Sequence, residues 1–286
     1  MRGLRRVGVL ILALLGAVLS VQPASAALPG PSVYLALGDS VAFGVGADPV
    51  VENGYVPVLY RTLTGARSCG AGEALGCRLV LRNLAVPGET TSTLISGQRG
   101  QLRDAMSLLA ERNGDPTPVD DVDLITLDIG GNDVFGPVIS ACTLNPQSAA
   151  CLGTIAGSLA QVDRNYATIL SALRAAAGPD TTIAVMTYYN PLPACRLAAL
   201  APLADLVLEG GGPVPAGLND IIRARAEAAG AVIVETAPLI GPGDLVGDTD
   251  CLHPNNSGHA KIAAAFAASI DVPAVVGPPG RRDAAA

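Results

Sequence analysis

The chain has 286 residues, enough for one substantial core without requiring two domains. Acids outnumber bases 25 to 18, the formal net charge is −7 at pH 7, and Lys261 is the only lysine, so no basic stripe is available for nucleic acid or anionic lipid headgroups. Aromatic residues make up 3% and tryptophan is absent, a poor supply for a sugar-stacking platform.

Arg2, Arg5 and Arg6 precede an apolar run from Val7 to Val21, and Ala24-Ser25-Ala26 supplies the small residues of a cleavage site. The run is short for a membrane span of about 20 residues. Residues 1–26 are therefore expected to be a removable signal peptide, and the protein to be secreted. Its loss takes away three arginines and no acids, which makes the remainder more acidic still.

Near-continuous apolar runs rich in β-branched residues mark strands buried on both faces. They occur at Val33–Leu37, Leu79–Val86, Leu124–Ile129, Thr182–Thr187 and Val232–Glu235. Between them fall helical stripes: Leu94, Leu102, Met106 and Leu109, then Leu159, Val162, Tyr166, Ile169 and Leu173, and finally Ile262, Phe266 and Ile270. Strands alternating with helices predict an α/β fold with a five-stranded parallel sheet covered on both faces. Two stretches read as inserts, Phe135–Gly153 with two cysteines and the Gly/Pro-rich Glu209–Gly217. A single domain is expected over residues 27–271, with 272–286 a flexible tail rich in Pro, Gly and Ala.

The cysteines are Cys69, Cys77, Cys142, Cys151, Cys195 and Cys251. An even number in an exported chain reads as disulfides, and none lies in a CxxC zinc pattern. Six cysteines allow fifteen pairings. Nearest-neighbour pairing joins 69 to 77 and 142 to 151 across short loops and leaves 195 with 251.

The first strand ends in Leu37-Gly38-Asp39-Ser40, which places a serine at the sheet's carboxyl edge. A serine there can also be a helix cap. Far along the chain, Asp250-Cys251-Leu252-His253-Pro254 sets a carboxylate three residues before a histidine, in a loop leading into the last helix. A serine nucleophile needs a neutral imidazole to take its proton and an acid to fix the tautomer. The other histidine, His259, falls inside the last helix and is expected to cap or pack it. Two histidines six residues apart do not make a zinc site, which needs three protein ligands. Asn83-Leu84-Ala85-Val86-Pro87-Gly88 and Ile129-Gly130-Gly131-Asn132-Asp133 also follow buried strands and so reach the same edge. The amides of Ser40 and Gly88 and the Asn132 side chain could donate to a developing oxyanion.

In these four blocks the sequence resembles the SGNH, or GDSL-type, hydrolases: GDS at Ser40, the glycine at Gly88, GxND ending at Asp133, and DxxH from Asp250 to His253, followed by an HPNxxGH-like continuation. Val41 replaces the usual leucine. The resemblance implies a flavodoxin-like three-layer αβα fold with strand order 2-1-3-4-5. It implies Ser40 as nucleophile, His253 as general base and acid, Asp250 as its orienting acid, and Ser40, Gly88 and Asn132 as oxyanion donors. Within the family a backbone carbonyl sometimes replaces the acid. Secreted actinobacterial lipases of this family often carry three disulfides, which this cysteine count resembles. The expectation is a secreted, monomeric serine esterase or lipase acting on small-molecule or lipid acyl esters, with no metal, cofactor, nucleic-acid partner or lasting membrane anchor. Alternatives are a carbohydrate deacetylase or acyltransferase with the same triad, or a non-catalytic ligand-binding relative. The leucines at 192, 197, 200, 203, 206 and 208 read either as acyl-chain contacts or as ordinary core.

Overall fold

The computed structural model describes residues 31–65, 79–98, 100–116, 118 and 120–270. The expected signal peptide, the Cys69–Cys77 bridge and the tail at 272–286 lie outside the described residues. Five strands, β1 (Ser32–Gly38), β2 (Leu79–Asn83), β3 (Val122–Asp128), β4 (Thr182–Met186) and β5 (Val232–Val234), form one sheet in the order β2-β1-β3-β4-β5. Every neighbouring pair is parallel. All seven residues of β1 and of β3 are buried, as their unbroken apolar runs predict for central strands. The edge strand β2 ends earlier than its apolar run suggests. Leu84 and Val86 nevertheless keep bonding to β1, through the carbonyls of Ala36 (2.9 Å) and Gly38 (3.1 Å).

Helices α1 (Ser40–Phe43), α2 (Val50–Asn53) and α3 (Tyr55–Gly65) follow β1, and α4 (Thr91–Ser96) and α5 (Gln101–Arg112) follow β2. The loose stripe from Leu94 to Leu109 is thus two helices, separated at Gly97 and Gly100. After β3 come α6 (Gly131–Cys142) and α7 (Ala149–Ala177). The expected insert at Phe135–Gly153 is therefore mostly helical, and only residues 143–148 are a connection. The start of α7 is set by Ser148, whose side chain accepts from the Cys151 amide (3.1 Å). Helices α8 (Ala201–Glu209) and α9 (Leu218–Ala228) lie between β4 and β5. The glycines from 210 to 212 make a tight turn closed by Gly211 and Val214. A two-stranded antiparallel unit, β6 (Leu245–Gly247) and β7 (Asp250–Pro254), precedes α10 (Asn256–Ser269).

Helices α3 and α10 pack together as one layer, with Tyr55 and Phe266 stacked at 5.2 Å. Helices α5, α7 and α9 form the other. Asn113 ties the second layer to the sheet's amino edge. Its Nδ2 donates to Ala177 O (3.2 Å) and Thr181 Oγ1 (3.1 Å), and its Oδ1 accepts from Val122 N (3.1 Å). Asn113→Ala should lower unfolding stability by about 1–3 kcal/mol, because it strips several part-buried polar groups of one shared partner. Urea denaturation compared with the exposed change Asn145→Ala, expected near zero, checks this.

Candidate active site

Ser40 is the first residue of α1, directly beyond the carboxyl end of β1, and is 8% exposed. Asp39 caps this short helix, its Oδ1 accepting from Val41 N (2.9 Å). Two further groups hold α1: Asp128 Oδ2 accepts from Ala42 N (3.0 Å), and Asn83 Nδ2 donates to Ala42 O (2.9 Å). Residue 38 must be glycine here, since its φ is +147° and a Cβ would collide with the Asp128 carbonyl and carboxyl oxygens.

The β6–β7 unit delivers the histidine. His253 Nε2 lies 2.7 Å from Ser40 Oγ, and His253 Nδ1 lies 2.5 Å from Asp250 Oδ2. Partial burial pushes the Asp250 carboxyl up, but the amides of Leu252 and His253 and the imidazole outweigh it and hold the carboxyl below its ordinary value. Asp250 is therefore ionised near neutrality and can only accept, so Nδ1 carries the proton and Nε2 of the neutral ring accepts from the Ser40 hydroxyl. Gly46 makes this approach possible: a Cβ there would strike the Pro254 carbonyl and come within 3.1 Å of His253 Cβ.

Three links fix the unit to the segment after β4: the Cys195–Cys251 disulfide, Tyr189 OH donating to Leu252 O (3.2 Å), and Arg196 Nη1 donating to Asp248 O (3.0 Å). Cys142 and Cys151 form the second described bridge, joining α6 to α7. Both pairings are the nearest-neighbour ones.

Ser40, Asn132 and His253 line one cavity of about 130 Å³, with Phe135, Gly136, Pro191 and Leu252 as apolar walls. Asn132 stands in the first turn of α6, and its Nδ2 donates one hydrogen to Glu89 O (2.9 Å), leaving the second for another acceptor. Gly88 occupies the exposed turn beside Glu89 and is outside the residues lining the cavity. His259 is fully buried away from this site. Its Nδ1 accepts from Tyr55 N (3.2 Å) and its Nε2 donates to Val45 O (2.9 Å). Burial lowers its pKa, as expected of a packing residue held neutral.

Sequence reasoning missed the layer beneath the serine. Asp39 and Asp128 are both buried and share a side-chain hydrogen bond. Tyr188 OH donates to Asp39 Oδ2 (2.7 Å) and Tyr55 OH to Asp128 Oδ1 (2.8 Å). Burial raises the pKa of both acids, and the Asp39 charge adds to the rise at Asp128, which lies well above its ordinary value. Gln101 bridges the edge, bonding both backbone groups of Gly38 (2.6 and 3.0 Å) and the Glu89 carboxyl (3.1 Å). An acid inside the mainly apolar Leu124–Ile129 run is the sequence signal that could have pointed to Asp128. No group of three or more His, Cys, Asp or Glu able to hold a metal ion occurs among the described residues. No described helix is long and apolar enough to cross a membrane.

With this geometry in place, comparison with known proteins gives a family. The GDSL-like lipase/acylhydrolase family matches residues 36–261. The chain belongs to that family. It is accordingly a carboxylic ester hydrolase acting on small-molecule esters. No curated relative matches the chain in sequence. Among solved structures, the lipase Lip_vut3 from a goat rumen metagenome is 18% identical over 83% of this chain and 97% of its own, with a TM-score of 0.52. An extracellular lipase from Streptomyces rimosus is 18% identical, covering 84% and 100%, with a TM-score of 0.53. A catalytic mutant of Axe2, an acetylxylan esterase from Geobacillus stearothermophilus, is 17% identical, covering 85% and 96%, with a TM-score of 0.54. At these identities the likeness concerns the fold.

Two outcomes follow from the site's supports. Asp128 has a raised folded pKa, so the stability of its protonated form is present below the unfolded carboxylate range and is lost as pH rises through the folded value. Asp128→Asn should flatten the loss of stability as pH rises above the unfolded carboxylate range, read as a Tm difference from the parent that moves in the variant's favour with rising pH. The Cys195–Cys251 bridge spans 56 residues and the Cys142–Cys151 bridge 9. In the chain-entropy account these contribute about 4 and about 2.7 kcal/mol. Replacing Cys195 and Cys251 with serine should also displace His253 and cut ester turnover about 10²-fold. The same change at Cys142 and Cys151 should cost far less activity at matched folded fraction.

Proposed function

We propose that the protein is a secreted, monomeric serine esterase or lipase working through a Ser40–His253–Asp250 triad and an acyl-enzyme. The observation that carries this reading is the continuous contact from Ser40 Oγ through His253 to Asp250, at 2.7 and 2.5 Å. His253 Nε2 takes the Ser40 proton as Oγ bonds to the ester carbonyl carbon. The imidazolium that results faces the ionised Asp250, and its Nε2 proton then passes to the leaving alkoxide. Water, deprotonated by the same nitrogen, releases the acid from Ser40. The carbonyl oxygen becomes negative in each half-reaction, and Asn132 Nδ2 with the amides of Ser40 and Gly88 is assigned to receive it.

Secretion is supported by the basic, apolar and small-residue order of residues 1–26 and by the two disulfides among the described residues. Residues 27–271 are read as the catalytic domain and 272–286 as a tail. The apolar walls at Phe135, Pro191 and Leu252 favour an acyl group over a sugar ring as the part held beside Ser40, and so a carboxylic acyl ester over a carbohydrate ester.

A fluorophosphonate probe should label Ser40, located by peptide mapping. Ser40→Ala should abolish labelling and lower turnover of p-nitrophenyl esters by about 10⁴-fold or more. Asn132→Ala should cost about 10²–10³-fold with labelling slowed but present. A folded Ser40→Ala protein that keeps most of its activity would remove Ser40 from the mechanism.

A further inference from the structure

Behind the cavity at Ser40 lies a second, wholly apolar space of about 10 Å³, enclosed by α6 on one side and by Leu192, Leu200, Leu203, Ala204 and Val207 on the other. Phe135 is the wall common to both spaces. We propose that Phe135 is a gate, and that its displacement admits the alkyl chain of a medium-length acyl ester into the space between α6 and α8. The proposal rests on the reading of Ser40 as the nucleophile, one turn of α6 away through Asn132.

Three observations point to a gate and not to inert packing. First, the turn carrying Phe135 is interrupted. Gly136 follows it, and Pro137, inside the helix, has no N–H to give the Asp133 carbonyl, so this turn of α6 is less firmly held than the rest. The distal end of the helix is pinned by Cys142–Cys151, which confines adjustment to the middle. Second, the far wall is weakest at Leu200, which is only partly buried and packs at the margin of the core. Third, every side chain facing the space is apolar, so it suits hydrocarbon and offers nothing to a sugar or a charged group. At rest the 130 Å³ cavity takes short acyl groups directly. Longer ones fit by moving the phenyl ring, and their methylenes then leave water.

The readout is the ratio of kcat/KM for the p-nitrophenyl decanoyl ester to that for the acetyl ester. Each methylene newly sheltered from water should improve the longer ester by about fourfold. Phe135→Ala should therefore raise the ratio by about tenfold or more. Adding Ala204→Leu, which refills the space, should bring it back toward the parent value. A ratio unchanged by Phe135→Ala, or a rise that survives Ala204→Leu, overturns the proposal. Should Phe135→Ala fail to fold, Phe135→Leu gives the same test with a smaller step. Decanoate binding, measured by calorimetry on the Ser40→Ala protein, separates this proposal from the catalytic one. Tighter binding with Phe135→Ala that Ala204→Leu reverses supports the cavity even if esters are not turned over. Binding indifferent to both changes overturns it even if they are.

Discussion

Two carboxyl groups, Asp39 and Asp128, are buried where the carboxyl ends of β1 and β3 meet, and one proton has to serve both. A lone ionised carboxylate in that place would cost several kcal/mol. The pair is tolerable because each oxygen meets a donor: the amides of Val41 and Ala42, and the hydroxyls of Tyr188 and Tyr55. Those donors come from α1, from the start of α3 and from the segment after β4. Satisfying the acids thus draws three separate parts of the chain onto one point beneath Ser40. Burial pushes both tyrosine hydroxyls far above their ordinary pKa, so they remain donors over the whole working range.

A second layer of constraint acts on the imidazole. His253 is held by Asp250 and through the disulfide at Cys251, and the absence of a side chain at Gly46 leaves room for its approach. None of these supports would react with substrate. They determine where Nε2 stands, and a displacement of about 1 Å is enough to cost two orders of magnitude in rate. The family relationship supplies the class of reaction, while the assignment of individual residues rests on this geometry.

The sheet was legible because buried parallel strands leave an unbroken apolar record, and all five runs correspond to strands in the expected order. That Ser40, His253 and Asp250 would meet was legible for a different reason: short motifs at strand ends restrict which residues can share an edge. What escaped notice depends on contacts between distant segments. The two strands β6 and β7, of three and five residues, are too short to show a period. The helical character of residues 135–142 is masked by Gly136 and Pro137, which read as breakers in isolation. Tyr188 looks like ordinary core until Asp39 is seen 2.7 Å away, 149 positions earlier in the chain. The run of leucines from 192 to 208 was open to two readings, and all six join or pack against the core, with those at 192, 200 and 203 also lining the space opposite Phe135.

Ser40 and His253 are 213 positions apart, and the contact between them depends on α10 docking against α3 through Tyr55, Phe266 and His259. The sheet could be nearly complete before that docking occurs, but the histidine would still lack its place. The Ser40–His253 contact is therefore a property of the finished chain. A ribosome-bound chain whose last helix has not emerged carries Ser40 without His253 in its final place.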